Sequence, residues 1–197
     1  AVVATTSVSA FADTNITGSE NSEHEAQVQI KGDVTDDSGN VKPGNLNVTV
    51  PTKASFKVND KGQLLGTNIT VKNDGTQKVD VFAYEFLDAT GADDINVKKE
   101  SEITTSQDQV ERKNISLKLT GTSATAYFGS ATGQYKRGVY SDKELASAVD
   151  SATNPLKLAT VNPTSSVDLE LSGTAGKKTG LTEAVQDNFT LVLKIKK

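Results

Sequence analysis

Cysteine, methionine and tryptophan are absent from this 197-residue chain, and it has one histidine. Without cysteine the chain has neither disulfide bonds nor thiolate chemistry. A Ser-His-Asp triad would have only His24 to use, and the zinc motif H-E-x-x-H lacks its second ligand because Val28 stands there. The sequence also lacks a P-loop, a nucleophile elbow and a dinucleotide-binding glycine pattern. We therefore expect no catalytic residue, no metal site and no cofactor.

A basic surplus and long apolar runs are also lacking. The chain has 21 Lys and Arg against 25 Asp and Glu, which gives a net charge of -4. This balance, without a basic cluster along the sequence, argues against nucleic acid as a partner. No apolar run approaches the roughly 20 residues that a helix needs to cross a bilayer, so we expect no membrane span.

Short β-strands account for most of the remaining pattern. Alternating or β-rich segments are bounded by Gly, Asn and Asp turn signals. The predicted strands are 25–34, 45–50, 54–59, 67–73, 78–86, 113–120, 123–129, 156–161, 166–173 and 188–197. Such a series predicts an all-β fold, an antiparallel jelly-roll-like β-sandwich with short helical insertions.

Two helical insertions are predicted between strands. In 141–152, Ser141 can cap a helix and Glu144 completes a capping box, while Leu145 and Val149 are spaced to face the core. A second short turn is predicted at 181–187. The acidic segment 33–40 has oxygen ligands that calcium could use, but its spacing does not fit an EF-hand loop, so a solvated turn is favoured.

The strand at 78–86 is apolar on both faces, which is typical of a central or covered strand. Alternation puts one set on one face, namely Val79, Val81, Ala83 and Glu85, and the other set opposite, namely Phe82, Tyr84 and Phe86. An inward Glu85 could be the acid of a Lys–Asn isopeptide cross-link, which needs a desolvated lysine and a carboxyl group. The alternative is that Glu85 lies in water at the strand end.

The first residues, AVVATTSVSAFADTN, allow two interpretations. Two overlapping small-x-small triplets, Val8-Ser9-Ala10 and Ala10-Phe11-Ala12, resemble the end of a signal peptide. As a β-strand, residues 1–12 would extend about 40 Å and carry no charge before Asp13. This segment is a candidate donor strand with the residues Val2, Val3, Ala4, Thr6, Val8, Ala10, Phe11 and Ala12. A polar tether at 13–25 then leads to a sandwich domain at 26–197.

A strand on a tether can pair with its own sheet or with that of a neighbour, and the sequence leaves both open. Head-to-tail exchange would generate an open filament with the chain itself as partner. Edge strands are the candidates for the acceptor groove, with the residues Val28, Ile30, Phe189, Leu191, Leu193 and Ile195.

The segment 46–86, with its core GTNITVKNDGTQKVDV, and the closing NFTLVLKIKK resemble secreted fibre subunits of Gram-positive biofilms. This is the TasA/camelysin-like group, which includes clostridial biofilm pilins. The resemblance implies a jelly-roll subunit, export, and polymerisation by donor-strand exchange, with isopeptide bonds as a reinforcement. It also implies an extracellular or cell-surface location, with a minor tip or anchoring subunit as a further partner. No LPxTG-like sorting signal is present, so sortase-linked assembly is not expected.

Two other functions compete with a self-polymerising matrix or pilus subunit. The first alternative is a monomeric cell-surface adhesion or carbohydrate-binding β-domain, in which the N-terminal strand pairs within its own sheet. The second is a secreted hydrolase, which would have to rely on carboxylates alone.

Overall fold

The computed structural model describes residues 24–30, 47–88, 95–129, 138–150 and 153–197, and it gives only the backbone of 24–30 and Asp88. These ranges contain twelve strands, one short helix (α1, Glu100–Thr104) and one 3-10 turn (Gln107–Gln109). The strands are β1 (His24–Ile30), β2 (Val48–Thr49), β3 (Lys53–Val58), β4 (Gln63–Asn73), β5 (Val79–Asp88), β6 (Asn96–Val97), β7 (Asn114–Thr120), β8 (Thr125–Phe128), β9 (Val139–Tyr140), β10 (Leu156–Val161), β11 (Ser165–Ala175) and β12 (Phe189–Lys196).

The strands form an all-β sandwich of mainly antiparallel sheets, as the sequence predicts. Hydrogen bonding follows the order β10-β5-β12-β1-β3-β4-β11-β7-β8-β9, with β2 beside β4 and β6 beside β7. The path folds back on itself, so that Phe86 of β5 and Phe128 of β8 stack with ring centroids 4.5 Å apart. The strands near its two ends therefore face each other across one apolar core. The jelly-roll connectivity stays a prediction.

An extra residue in β5 changes the predicted faces of that strand. Val192 of β12 pairs with Glu85, but the next residue, Leu193, pairs with Ala83, so Tyr84 is a β-bulge. The bulge reverses the alternation, and Phe86 is buried in the core at 2% exposure. The predicted faces are therefore wrong for these two residues. Phe86 faces the core, and Glu85 is half-buried on the outer face of the sheet with Val192.

The helix predicted at 141–152 is wrong over 141–150, and the remaining two residues lie outside the described ranges. The Asp142 carboxylate accepts hydrogen bonds from the backbone N–H groups of Glu144, Ala146 and Ser147. Leu145 has a left-handed backbone with φ of 53°. These local bonds stabilise a compact turn and compete with helical ones. Of the two residues expected in the core, Val149 is buried and Leu145 is half-buried.

The other helical features differ as well. Glu144 does not complete a capping box and instead accepts a hydrogen bond from the Ser101 hydroxyl of α1. Segment 181–187 has no regular secondary structure apart from a single bend, so the short turn predicted there is wrong. The helical insertion of the described chain lies between β6 and β7, where Ile103 of α1 is fully buried.

The hydrogen bonds to the Asp142 carboxylate make the stability of its turn depend on pH. Hydrogen bonds from the backbone of Ala146 and Ser147 hold the pKa of the Asp142 carboxyl below its usual 3.8. The stabilisation is present above that value and is lost as the pH falls through the lower folded-state pKa. We expect Asp142→Ala to speed hydrogen exchange of the Ala146 and Ser147 amides several-fold at neutral pH, measured by NMR. Unchanged exchange in the variant would contradict this role.

Candidate functional site

The candidate site is the environment of β12, which contains four of the six predicted groove residues. Phe189, Leu191, Leu193 and Ile195 alternate along β12 and are all buried in the core, as their spacing predicts. One backbone edge of β12 pairs antiparallel with β5 along its whole length. The other edge pairs parallel with β1, from Ala26 opposite Phe189 to Ile30 opposite Leu193. β12 is therefore an interior strand with a neighbour on each side, so the prediction that it is an edge strand is wrong.

β1 lies between β12 and β3, where it pairs antiparallel from His24 opposite Phe56 to Gln27 opposite Lys53. In the described part of the chain, β1 is the only strand hydrogen-bonded to both of these neighbours. We call the space that it fills, between β12 and β3, the β1 slot. Without β1 the hydrogen-bonded path would divide into β10-β5-β12 and β3-β4-β11-β7-β8-β9.

Both walls of the β1 slot continue past the described residues of β1. Ile30, the last of these, pairs with Leu193, and β12 continues to Lys196. His24, the first, pairs with Phe56, and β3 continues to Val58. The walls of the slot are therefore at least as long as the described part of β1.

A row of aromatic rings spans the two walls of the slot. Phe56 of β3 and Phe189 of β12 have ring centroids 6.2 Å apart, although β1 separates their strands. Phe189 continues to Phe86 at 5.3 Å, and Phe86 to Phe128 at 4.5 Å. These rings are part of the core, so both walls are fixed by packing that does not depend on the backbone bonds of β1.

The two terminal strands of the path are capped by loops. On β10, the carbonyl of Leu158 accepts a bond from the Ser123 N–H (2.8 Å), and that of Val161 accepts one from the buried Asn73 amide (3.0 Å). On β9, the carbonyl of Val139 accepts a bond from the Val149 N–H (2.9 Å). Capping of this kind protects sheet edges from pairing with other strands. It leaves the β1 slot as the better candidate for strand exchange.

The remaining predicted residues fall in different places. Val28 and Ile30 belong to β1 and lie in register with Leu191 and Leu193, so they occupy the slot between β12 and β3. A donor strand cannot enter between β1 and β12 while these two strands are hydrogen-bonded to each other. The donor strand 1–12 and the tether residues 13–23 lie outside the described residues. His24 and Glu25, which the predicted tether 13–25 includes, are the first two residues of β1, so the part of the tether before β1 is 13–23.

Sequence reasoning missed β3 as the second wall of the slot. The alternation of buried Ala54 and Phe56 with half-buried or exposed neighbours was visible as a strand pattern. The partner of a strand is not encoded in that pattern, because any half-buried strand shows the same period of two.

Charged side chains surround the outer face of the sheet at the C-terminal end of β12. Lys194 Nζ lies 3.6 Å from the Tyr84 ring centroid, and Lys196 Nζ lies 5.1 Å from that of Phe82. These contacts are cation–π interactions that hold both lysines near the sheet. On the other side of β5, Lys157 of β10 is 3.6 Å from Asp80.

Neither the comparisons with known proteins nor the search for metal-binding groups gives evidence for a catalytic function. The chain matches no protein-family model and no curated protein sequence. Within the ranges that the structure describes, no group of three or more His, Cys, Asp or Glu residues could hold a metal ion. The same ranges contain no helix of the length and apolarity needed to cross a membrane.

Proposed function

We propose that the chain is a structural subunit of an extracellular biofilm or pilus fibre. In this proposal the subunits polymerise head-to-tail, and the N-terminal strand of one subunit, residues 1–12, enters the β1 slot of the next. The observation that carries the proposal is the position of β1. Among the described strands, it is the single strand that joins two otherwise separate ladders.

The length and composition of residues 1–12 suit a strand exchanged between subunits. Twelve residues are enough to pair along the whole of β12, which has eight, at about 1 kcal/mol for each backbone hydrogen bond. The lack of charge before Asp13 suits a strand that covers an apolar floor. Within one chain, β1 would fill the slot until a neighbour's strand displaces it.

Lys–Asn cross-links are not part of the proposal. Glu85, the candidate acid, lies on the outer face of β5 and not in the core. Every lysine in the described ranges is exposed or half-buried. Cross-linking needs a lysine amine that burial makes neutral, and a hydrated lysine stays charged.

The experiment that tests the proposed function compares the full chain with a chain lacking residues 1–12. Light scattering and negative-stain microscopy in the same buffer should show filaments for the full chain and monomers for the shortened one. Circular dichroism should show the same β-sheet content in both, because β1 remains to fill the slot. Monomers in both cases would overturn the proposal and favour a monomeric surface domain, and filaments in both would exclude residues 1–12 as the donor.

A further inference from the structure

Lysines are concentrated where β12 ends. On the outer face of the sheet, Lys194 and Lys196 of β12 lie beside Lys157 of β10, across β5. Lys157 and Lys194 both pair with Phe82 from opposite sides, so their strands are about 10 Å apart. Among the acids of this face, Asp80 accepts a hydrogen bond from Thr160 and forms an ion pair with Lys157, and Glu85 lies nearer the N-terminal end of β12. We call Lys157, Lys194 and Lys196 the lysine end.

The opposite charge is concentrated in the first 30 residues. They contain Asp13, Glu20, Glu23 and Glu25 but no Lys or Arg. Taking these four from the 25 acidic residues of the chain leaves 21, which equals its number of Lys and Arg. The net charge of -4 is thus carried by the N-terminal part, and three of the four acids lie in the tether before β1.

The direction of the slot brings these charges together. β1 runs parallel to β12, so a strand that enters with the same direction leaves the slot beside the C-terminal end of β12. For a neighbour's residues 1–12, the next residue is Asp13, which would emerge near Lys194 and Lys196. The tether 13–23 can extend about 35 Å, which is ample to cross the lysine end. Within one chain the same tether precedes β1 and therefore starts from the other end of the slot, near Phe189.

We infer that the lysine end is a docking surface for the acidic tether 13–23 of a neighbouring subunit. This inference rests on the proposed function. The ion pairs are exposed, so each contributes little to stability. Their effect is on assembly rate and polarity, because complementary charge accelerates encounter and disfavours a strand entering in the wrong direction.

A charge exchange between subunits tests the inference. The acceptor variant is Lys194→Glu/Lys196→Glu, and the tether variant is Glu20→Lys/Glu23→Lys. Each alone should elongate about tenfold more slowly than the unaltered chain at low ionic strength, measured by light scattering. An equimolar mixture should recover about half of the unaltered rate at the same total concentration, because each tether then finds an end of opposite charge on half of the chains. The differences in elongation rate should largely disappear in about 1 M salt, where charges are screened beyond roughly 3 Å.

The matched control is Lys177→Glu/Lys178→Glu, which changes two exposed lysines outside the lysine end and should leave the rate unchanged. Slow assembly of both variants without recovery in the mixture would place the contact within one chain and overturn the inference. Unaltered rates in both variants would also overturn it, while filaments of the unaltered chain would leave the proposed function standing. If Lys194→Glu/Lys196→Glu fails to fold, Lys157→Glu/Lys196→Glu replaces it.

Discussion

Replacement of Phe86 by alanine is expected to lower the free energy of unfolding by about 4 kcal/mol, the usual loss for a buried phenylalanine. Phe86 is 2% exposed and stacks on both Phe128 and Phe189. The change would leave a cavity where the two sheets meet and would remove two aromatic contacts. For a chain of this size the melting temperature should fall by about 10 °C, measured by calorimetry.

Phe82 provides the matched control on the same strand. It lies four residues before Phe86 but on the outer face, half-buried under Lys196. Phe82→Ala should cost about 1 kcal/mol, since it removes one exposed cation–π contact and little buried area. Equal losses for the two variants would contradict the β-bulge at Tyr84, because the predicted alternation without a bulge places both rings on one face.

The sequence could predict β-strands where one face is apolar and the other polar. β12 is the clearest case, because its four inward residues alternate with residues that are not buried, of which only Val192 is apolar. β5 shows why the prediction failed elsewhere. Both of its faces carry apolar residues, so hydrophobic period cannot locate an inserted residue, and the bulge at Tyr84 was not visible.

The wrong helix at 141–152 has a different cause. Ser141 and Glu144 match a capping box, but Asp142 between them forms a competing set of backbone hydrogen bonds. The helix found in the described ranges, α1, has only five residues and no side-chain cap, so no terminal signal marked it. Short elements of this kind depend on tertiary packing, here the burial of Ile103.

The β1 slot could be predicted only in part. The apolar faces of β1 and β12 were visible, and the structure pairs these two strands. The parallel direction of β1 and β12, and the role of β3 as the second wall, depend on the course of the chain between strands, including the 17 residues from β1 to β2, which the strand pattern does not encode.

Fixing β1 in its slot should abolish polymerisation. Glu25 pairs with Ser55 of β3, so the variant Glu25→Cys/Ser55→Cys places two thiols at neighbouring backbone positions. The chain has no cysteine of its own, so this pair forms the only disulfide. With β1 held beside β3, a neighbour's strand cannot enter the slot. Reduction of the disulfide should restore exchange and therefore filaments.

A disulfide elsewhere controls for the effect of cross-linking as such. Lys118 and Tyr127 form an antiparallel pair between β7 and β8, far along the path from the slot. The variant Lys118→Cys/Tyr127→Cys should polymerise equally well when oxidised and when reduced. Intact mass and circular dichroism establish that each disulfide has formed in a folded chain.

Light scattering of the Glu25→Cys/Ser55→Cys variant, before and after reduction, tests most directly whether the β1 slot receives a neighbour's strand. The account predicts a monomer when the disulfide is intact and growth of polymer after reductant is added, while the Lys118→Cys/Tyr127→Cys control polymerises in both states. Polymer growth by the oxidised slot variant at the rate of the oxidised control would contradict the account, because subunits would then join without displacing β1.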